Sequence, residues 1–158
     1  MPPKSATAVK AVTSEGEELD LDGLTDLLGF HVRLAQSAIY RDFAATVKEL
    51  DLTQKLYAVL MLLRANPGAS QIALANTLGT DRATMMAIID RLQDRHLLIR
   101  ERSKIDRRRQ ELYLTDEGRA VLTQASRLIA KHEARFKSRF TPAELKSLVG
   151  MLRRLQWD

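Results

Sequence analysis

The sequence predicts a mainly α protein carrying one small β-hairpin. Three observations point there. Apolar residues recur every three or four positions over most of the chain, capping and turn signals separate those stretches, and the period changes to two only between Leu97 and Thr115. Aromatics make up only 5% of the residues, which suits helices better than a β-sandwich.

Residues 1–18 mix Pro, Ala, Ser, Thr and Gly before turning acidic at Glu15, Glu17 and Glu18, and are expected to form a flexible tail. From about Leu19 to Leu50 a long helix is expected, its stripe running through Leu28, Val32, Ala35, Ile39, Phe43, Val47 and Leu50, with Gly23 and Gly29 weakening its start. Asp51-Leu52-Thr53 supplies a break and an N-cap for an apolar helix from Leu56 to Arg64, which Asn66-Pro67-Gly68 ends. Ser70 caps a short helix from Gln71 to Leu78, closed by Gly79. Thr80 or Asp81 caps the next, to about Arg95, with Met85, Ile88, Ile89 and Leu92 on one face. Leu97–Arg102 and Gln110–Thr115 read as strands joined by an arginine-rich loop. Thr115 then opens a long helix through Val121, Leu122, Ala125, Leu128, Ile129, His132 and Phe136. Thr141-Pro142 opens the last, with Leu145, Leu148, Val149, Leu152 and Leu155 as its stripe.

Three short helices followed by a hairpin with a basic tip describe a winged helix-turn-helix, here over residues 51–115, flanked by helical regions at 19–50 and 116–158. A helix fits the DNA major groove, and arginine suits the negative potential of the minor groove. The segment Arg100–Arg109 carries Arg100, Arg102, Lys104, Arg107, Arg108 and Arg109 against Glu101 and Asp106; a merely solvated basic loop is the alternative. With the 85/88/89/92 face inward, Arg82, Ala83, Met86, Ala87 and Asp90 face out. Met86 and Ala87 would meet thymine methyls, Arg82 and Thr84 phosphates or base edges, and Arg91 either the DNA backbone or a neighbouring Asp90 or Asp94. The net charge of +5 agrees with a polyanionic partner.

The stretch IDRRRQELYLTDEGR resembles the wing signature of the MarR family of bacterial transcription regulators: Asp-Arg-Arg, a strand, then Leu-Thr-x-x-Gly-Arg. LTQKLYAVLMLLRANPGAS and IALANTLGTDRATMMAIIDRLQDRHLL resemble the family too, and the likeness runs from about Leu24 to Leu155. The resemblance implies that Asp106 braces the wing, Arg107 enters the minor groove, and Arg108 and Arg109 lie at or near the phosphate backbone. Leu114, Thr115 and Gly118 would be structural. The chain departs from the family twice: Ser103-Lys104 replaces the usual Asp-Pro, and His96 the usual glycine.

The flanking stripes would leave apolar faces exposed in a monomer. The resemblance implies that the terminal helices interlock into a homodimer on double-stranded DNA, with two recognition helices roughly 34 Å apart on a pseudo-palindromic operator. Family members commonly bind a small, often aromatic, effector. Candidate contacts here are His31, Arg33, Gln36, Tyr40, Arg41, Tyr57 and Met61, the cationic groups suiting an anion and the tyrosines a ring; plain packing is the alternative for His31, Tyr57 and Met61. HVRLAQSAIYRDF is similar to the first helix of members that answer to aromatic acyl-CoA thioesters such as hydroxycinnamoyl-CoA, which would place Arg33, Arg41 or Lys48 at the CoA phosphates.

The expected function is thus a ligand-responsive transcription regulator, a repressor of catabolic genes released by an aromatic acid or its CoA thioester. The alternatives are a zinc-responsive regulator using His132-Glu133 with His31, and a DNA-binding protein or activator without effector. No catalytic residue, metal site or bound cofactor is expected: the three histidines are scattered, and no phosphate loop or nucleophile context appears. The absence of cysteine excludes disulfides, thiolate metal sites and a cysteine redox switch. No apolar run approaches the roughly 18 residues that span a bilayer, and MPPKSATAVKAVTSEGEELD lacks a signal peptide's apolar centre. A cytoplasmic protein with no membrane partner is expected.

Overall fold

A computed structural model describes residues 10–12, 15–106 and 108–155. The chain divides into two compact units, Met1–Arg41 and Asp42–Asp158.

In the first unit, residues 1–9, 13 and 14 of the expected tail lie outside the described residues, and the expected helix starts later. β1 (Lys10–Val12) pairs antiparallel with β2 (Glu18–Asp20) in the register Lys10↔Asp20, Ala11↔Leu19, Val12↔Glu18. A 3-10 helix, Asp22–Asp26, follows. It begins at Asp22, whose φ is +44° and whose N–H donates to Asp20 Oδ1 at 2.9 Å. Leu27, extended at φ −88° and ψ 117°, breaks the helical path, so α1 runs only from Leu28 to Thr46, contributing residues 28–41 to this unit and 42–46 to the next. None of residues 15–41 is buried; Leu24, Leu27, Leu28, Val32 and Leu34 are all exposed.

The second unit holds the core. After a 3-10 helix, Lys48–Leu50, Asp51 turns the chain at φ +45°. Thr53 then caps α2 (Gln54–Ala65) by accepting from Leu56 N–H. Ser70 caps α3 (Gln71–Thr77), and Asp81, not Thr80, caps α4 (Arg82–Asp94). β3 (Leu98–Arg102) and β4 (Gln110–Leu114) form an antiparallel hairpin in the register Leu98↔Leu114 to Arg102↔Gln110. α5 (Asp116–Lys137) and α6 (Pro142–Arg153) complete it, α6 opening on a capping box between Thr141 and Glu144.

Leu56, Val59, Leu60 and Leu63 of α2 meet Leu74 of α3, Met85, Ile89 and Leu92 of α4, Leu98, Leu112 and Leu114 of the hairpin, and Leu122 and Ala125 of α5 in one core. Each such side chain removed from water contributes about 1.5 to 3 kcal/mol, which outweighs the modest propensity of the short helices. The hairpin gains an isolated bridge, Ala69↔Leu112, that periodicity did not predict. Gly68 N–H donates to Leu112 O at 2.9 Å, and Leu112 N–H to Ala69 O at 3.2 Å. Gly68 sits at φ +84°, and a Cβ there would come within 2.9 Å of the Tyr113 hydroxyl.

Candidate nucleic-acid interface

α4 starts from a doubly made cap. Asp81 Oδ1 accepts from Thr84 N–H at 2.9 Å and Oδ2 from the Thr84 hydroxyl at 2.6 Å. These bonds hold the Asp81 carboxyl below its ordinary pKa, the Thr84 side chain being the larger cause. Gln71 Nε2 donates to Arg82 O at 3.3 Å, tying the first turn of α4 to α3. With Met85, Ile89 and Leu92 buried, Arg82, Ala83, Met86 and Ala87 stand exposed on the opposite face, Met86 by 51%. Thr84 is half-buried with its hydroxyl in the cap, which turns it from the free polar reader that the sequence suggested into the brace of that face.

The far end of α4 is anchored by pairs that local pattern could not predict. Arg91 pairs with neither Asp90 nor Asp94; it donates to both carboxylate oxygens of Asp51 at 2.7 Å. Arg95 donates to Asp51 O at 2.8 Å and Leu50 O at 2.9 Å. The Asp51 carboxyl is lowered, first by its hydrogen bond with Arg91. Arg100 also leaves the free basic set: it bonds Gln93 Oε1 at 2.7 Å and pairs with Asp90, locking the base of β3 to α4. Asp90 faces out as expected, its side chain 49% exposed, but it is taken up by Arg100.

The wing tip is braced by the residue that departs from the family pattern. Ser103, only 5% exposed, accepts through Oγ from the N–H groups of Ile105 and Asp106, both at 3.3 Å, and its own N–H donates to Arg109 O at 3.0 Å. Asp106 completes the turn: Oδ1 accepts from Arg108 N–H at 3.0 Å and its carbonyl from Arg109 N–H at 2.9 Å. Lys104, Asp106, Arg108 and Arg109 are exposed, as is Arg102, while Arg107 lies outside the described residues. On the strand behind, Tyr113 donates to Glu111 Oε2 at 2.8 Å. Ser103 and Tyr113 lower the Glu111 carboxyl, and Glu111 in turn raises the Tyr113 phenol.

The foot of the wing fixes its angle to α5. His96 takes φ +56°, the left-handed conformation for which glycine is the usual choice. Its carbonyl accepts from the Thr115 hydroxyl at 2.6 Å, and Thr115 Oγ1 accepts from Gly118 N–H at 2.9 Å. A Cβ on Gly118 would fall 1.9 Å from Leu97 O, so the approach of α5 to this turn requires glycine.

The candidate effector residues divide between the units. In the first, Arg33, Gln36, Tyr40 and Arg41 are exposed, and His31 Nε2 donates to Thr25 O at 2.7 Å. In the second, Tyr57 is half-buried, its hydroxyl 3.3 Å from Ser126 Oγ, and Met61 packs against the core. His132 is buried, its Nδ1 2.5 Å from Asp42 Oδ2, an oxygen that Arg135 also reaches at 2.7 Å. Among the described residues no group of three or more His, Asp or Glu is placed to hold a metal. Nor is any described helix long and apolar enough to cross a membrane.

Comparison with known proteins agrees with this layout. The MarR family profile matches residues 52–109. A transcriptional regulatory protein for the hcr operon of Thauera aromatica is 34% identical over 92% of this chain and 89% of its own length. The transcriptional repressor CouR bound to a 23-mer DNA duplex superposes with a TM-score of 0.83 at 39% identity, covering 88% of this chain and 99% of that one. CouR bound to p-coumaroyl-CoA gives 0.81 at 38% identity, covering 87% and 97%.

Proposed function

This chain belongs to the MarR family, and from that premise we propose that it is a ligand-responsive DNA-binding repressor, released from its operator by an aromatic acid or its CoA thioester. It is a transcriptional regulator and not an enzyme. The observation that carries the DNA-binding reading is the pairing of two presented surfaces. One is the exposed Arg82, Ala83, Met86, Ala87 face of a capped α4; the other is a braced wing bearing Lys104, Arg108 and Arg109. The first has the shape and the apolar spots to read thymine methyls in a major groove, and the second has the charge to hold phosphates and, through Arg107, a minor groove. Asp106 acts here as the brace of the wing.

Two such surfaces come from a homodimer built on the flanking helices, whose apolar side chains Val149, Met151, Leu152 and Leu155 are exposed in the single chain. A pseudo-palindromic operator of catabolic genes is the matching target. The effector class is supported by the likeness to CouR holding p-coumaroyl-CoA. Here His31, Arg33, Gln36, Tyr40, Arg41, Tyr57 and Met61 would contact the ligand, with cationic side chains for carboxylate or CoA phosphate and tyrosines for the ring. A hundredfold release from DNA requires about 2.7 kcal/mol of coupling between the two ligands.

The test is a fluorescence-anisotropy titration on the DNA upstream of the protein's own gene, across salt concentrations, with and without p-coumaroyl-CoA. Tight, salt-sensitive binding reversed by the thioester is expected. Binding that the thioester leaves unchanged removes the thioester and directs the search to free aromatic acids; absence of specific binding removes the whole reading.

A further inference from the structure

We infer that Ile105, at the tip of the β3–β4 hairpin, makes an apolar contact of its own with DNA, lying against the deoxyriboses between the phosphates that the neighbouring cations hold. The inference rests on the reading of the chain as a DNA-binding regulator and adds a residue to that interface.

Ile105 is 98% exposed, whereas no other exposed large hydrophobic residue among those described exceeds 61%. Its position is an unusual one for an isoleucine. Hairpin tips favour Gly, Asn, Asp and Ser, whose backbones and short polar side chains suit turns, and a β-branched side chain adds nothing to such a turn. Nor does this one stabilise the fold, since it covers no apolar surface. Its backbone is nevertheless tied into the turn at several described residues. Ser103 Oγ accepts from the Ile105 N–H itself and from the next, Asp106 carboxylate and carbonyl accept from Arg108 and Arg109, and Arg109 O closes the loop onto Ser103. A backbone already tied by its own bonds has less freedom left to lose on binding, which is the setting in which a small apolar contact yields net affinity.

The surroundings decide what it contacts. Arg102, Lys104, Arg108 and Arg109 are exposed around it, four cations against the one exposed carboxylate of Glu101; Asp106 is directed into the turn and Glu111 onto Tyr113. Charged residues are depleted at the centres of protein–protein interfaces, so one isoleucine set among charged, mostly cationic side chains does not suit an apolar protein surface. A nucleic-acid groove presents phosphate rails with sugar and base edges between them, and proteins that enter the minor groove combine basic side chains with an aliphatic one in this way.

The two kinds of contact separate by their salt response. Each phosphate contact contributes to the slope of log K against log salt, and an apolar contact does not. Ile105→Ser, at a position that bears no core contact, should bind the upstream duplex about fivefold or more weakly at every salt concentration. Its slope should match that of the unsubstituted protein, and Ile105→Leu should restore the affinity. Arg108→Ala is the contrasting variant, expected to lower the slope by about one. Equal affinity of Ile105→Ser and the unsubstituted protein would overturn the inference while leaving the regulator reading intact, as would failure of Ile105→Leu to restore binding. Failure of the unsubstituted protein to bind any upstream duplex would remove both.

Discussion

At the residue scale, the geometry of the wing depends on three small or unusual positions: Ser103, His96 and Gly118. Ser103 braces the tip through one hydroxyl where the family usually has Asp-Pro, and its burial shows how closely the strands converge behind the tip. His96 holds a left-handed turn at a cost of about 1 to 2 kcal/mol relative to glycine, and the hydrogen bond that its carbonyl accepts from Thr115 helps to hold that turn closed. Gly118 is the least replaceable of the three. Because its added Cβ would lie 1.9 Å from a backbone carbonyl, and no flexible side chain can yield, either α5 or the His96–Leu97 turn must move. Gly118→Ala should therefore destabilise the protein by about 2 kcal/mol or more, despite alanine's better helix propensity. Thermal unfolding followed by circular dichroism measures this; an unchanged or raised Tm would show that the approach of α5 to Leu97 relaxes without cost. The motif Leu-Thr-x-x-Gly was legible in the sequence as structural, but the contact that makes glycine necessary is with a residue 21 positions earlier and leaves no local trace.

At the scale of elements, α4 and the junction between α1 and α5 carry separable predictions. The exposed face of α4 is defined by Ala87 as much as by Arg82, since a small apolar side chain lets the helix approach the base edges. Ala87→Glu should abolish specific DNA binding, because it sets a carboxylate against the groove, yet leave the fold and association state unchanged at an exposed site. Operator binding by that variant equal to the parent's would show that another face of α4 reads the DNA. At the C-terminal end of α1, Asp42 accepts from Arg135 and His132 of α5, and Arg135 also donates to Thr46 at 2.7 Å. Arg135 first, then His132, holds the Asp42 carboxyl below its ordinary value of 3.8. A depressed folded pKa means that the unfolded chain binds the proton more readily, so this contribution to stability is complete above about pH 4 and is lost as pH falls through the folded value. Asp51, held by Arg91, and Glu144, held by Thr141, act in the same direction. Tm should fall as pH is lowered below about 4, and Asp42→Asn should lower Tm at pH 7 while flattening part of that fall. An acid profile identical in the two proteins would mean that Asp42 is not coupled to the fold. Periodicity and caps were enough to locate α2 through α6 and the hairpin, because each of those elements declares itself within its own residues. The β1–β2 hairpin, the 3-10 helix at Asp22–Asp26, the Ala69 bridge and the pairs Asp42–His132 and Asp51–Arg91 were not legible, since each depends on partners or turns outside a helical or alternating pattern.

At the scale of the whole molecule, the unsatisfied surface is the argument for a second copy. α6 is well formed, with a capping box and Pro142 at its start, yet none of its residues is buried. Val149 and Leu152 face solvent together with Phe140, Met151 and Leu155, each of them 40% exposed or more, while Leu145 and Leu148 are half-buried. An amphipathic helix of 12 residues is marginal alone in water, so a partner surface must supply the burial that the single chain lacks. The same association places two wings and two α4 helices on one duplex, and that is where most of the operator affinity should originate. Once one half is bound, the second meets its half-site at an effective concentration in the millimolar range, which raises overall affinity by on the order of 10² to 10⁴ over a single half. Leu152→Arg tests both consequences at one position that makes no core contact. In sedimentation equilibrium it should shift the protein from dimer towards monomer, and Tm should become independent of protein concentration where the parent's rises with it. On the upstream duplex it should bind at least a hundredfold more weakly, with a salt slope about half the parent's, because half the phosphate contacts are gone. A variant that becomes monomeric yet keeps the parent's affinity and slope would mean that one copy suffices on DNA. A variant that remains fully dimeric would move the interface off α6 altogether.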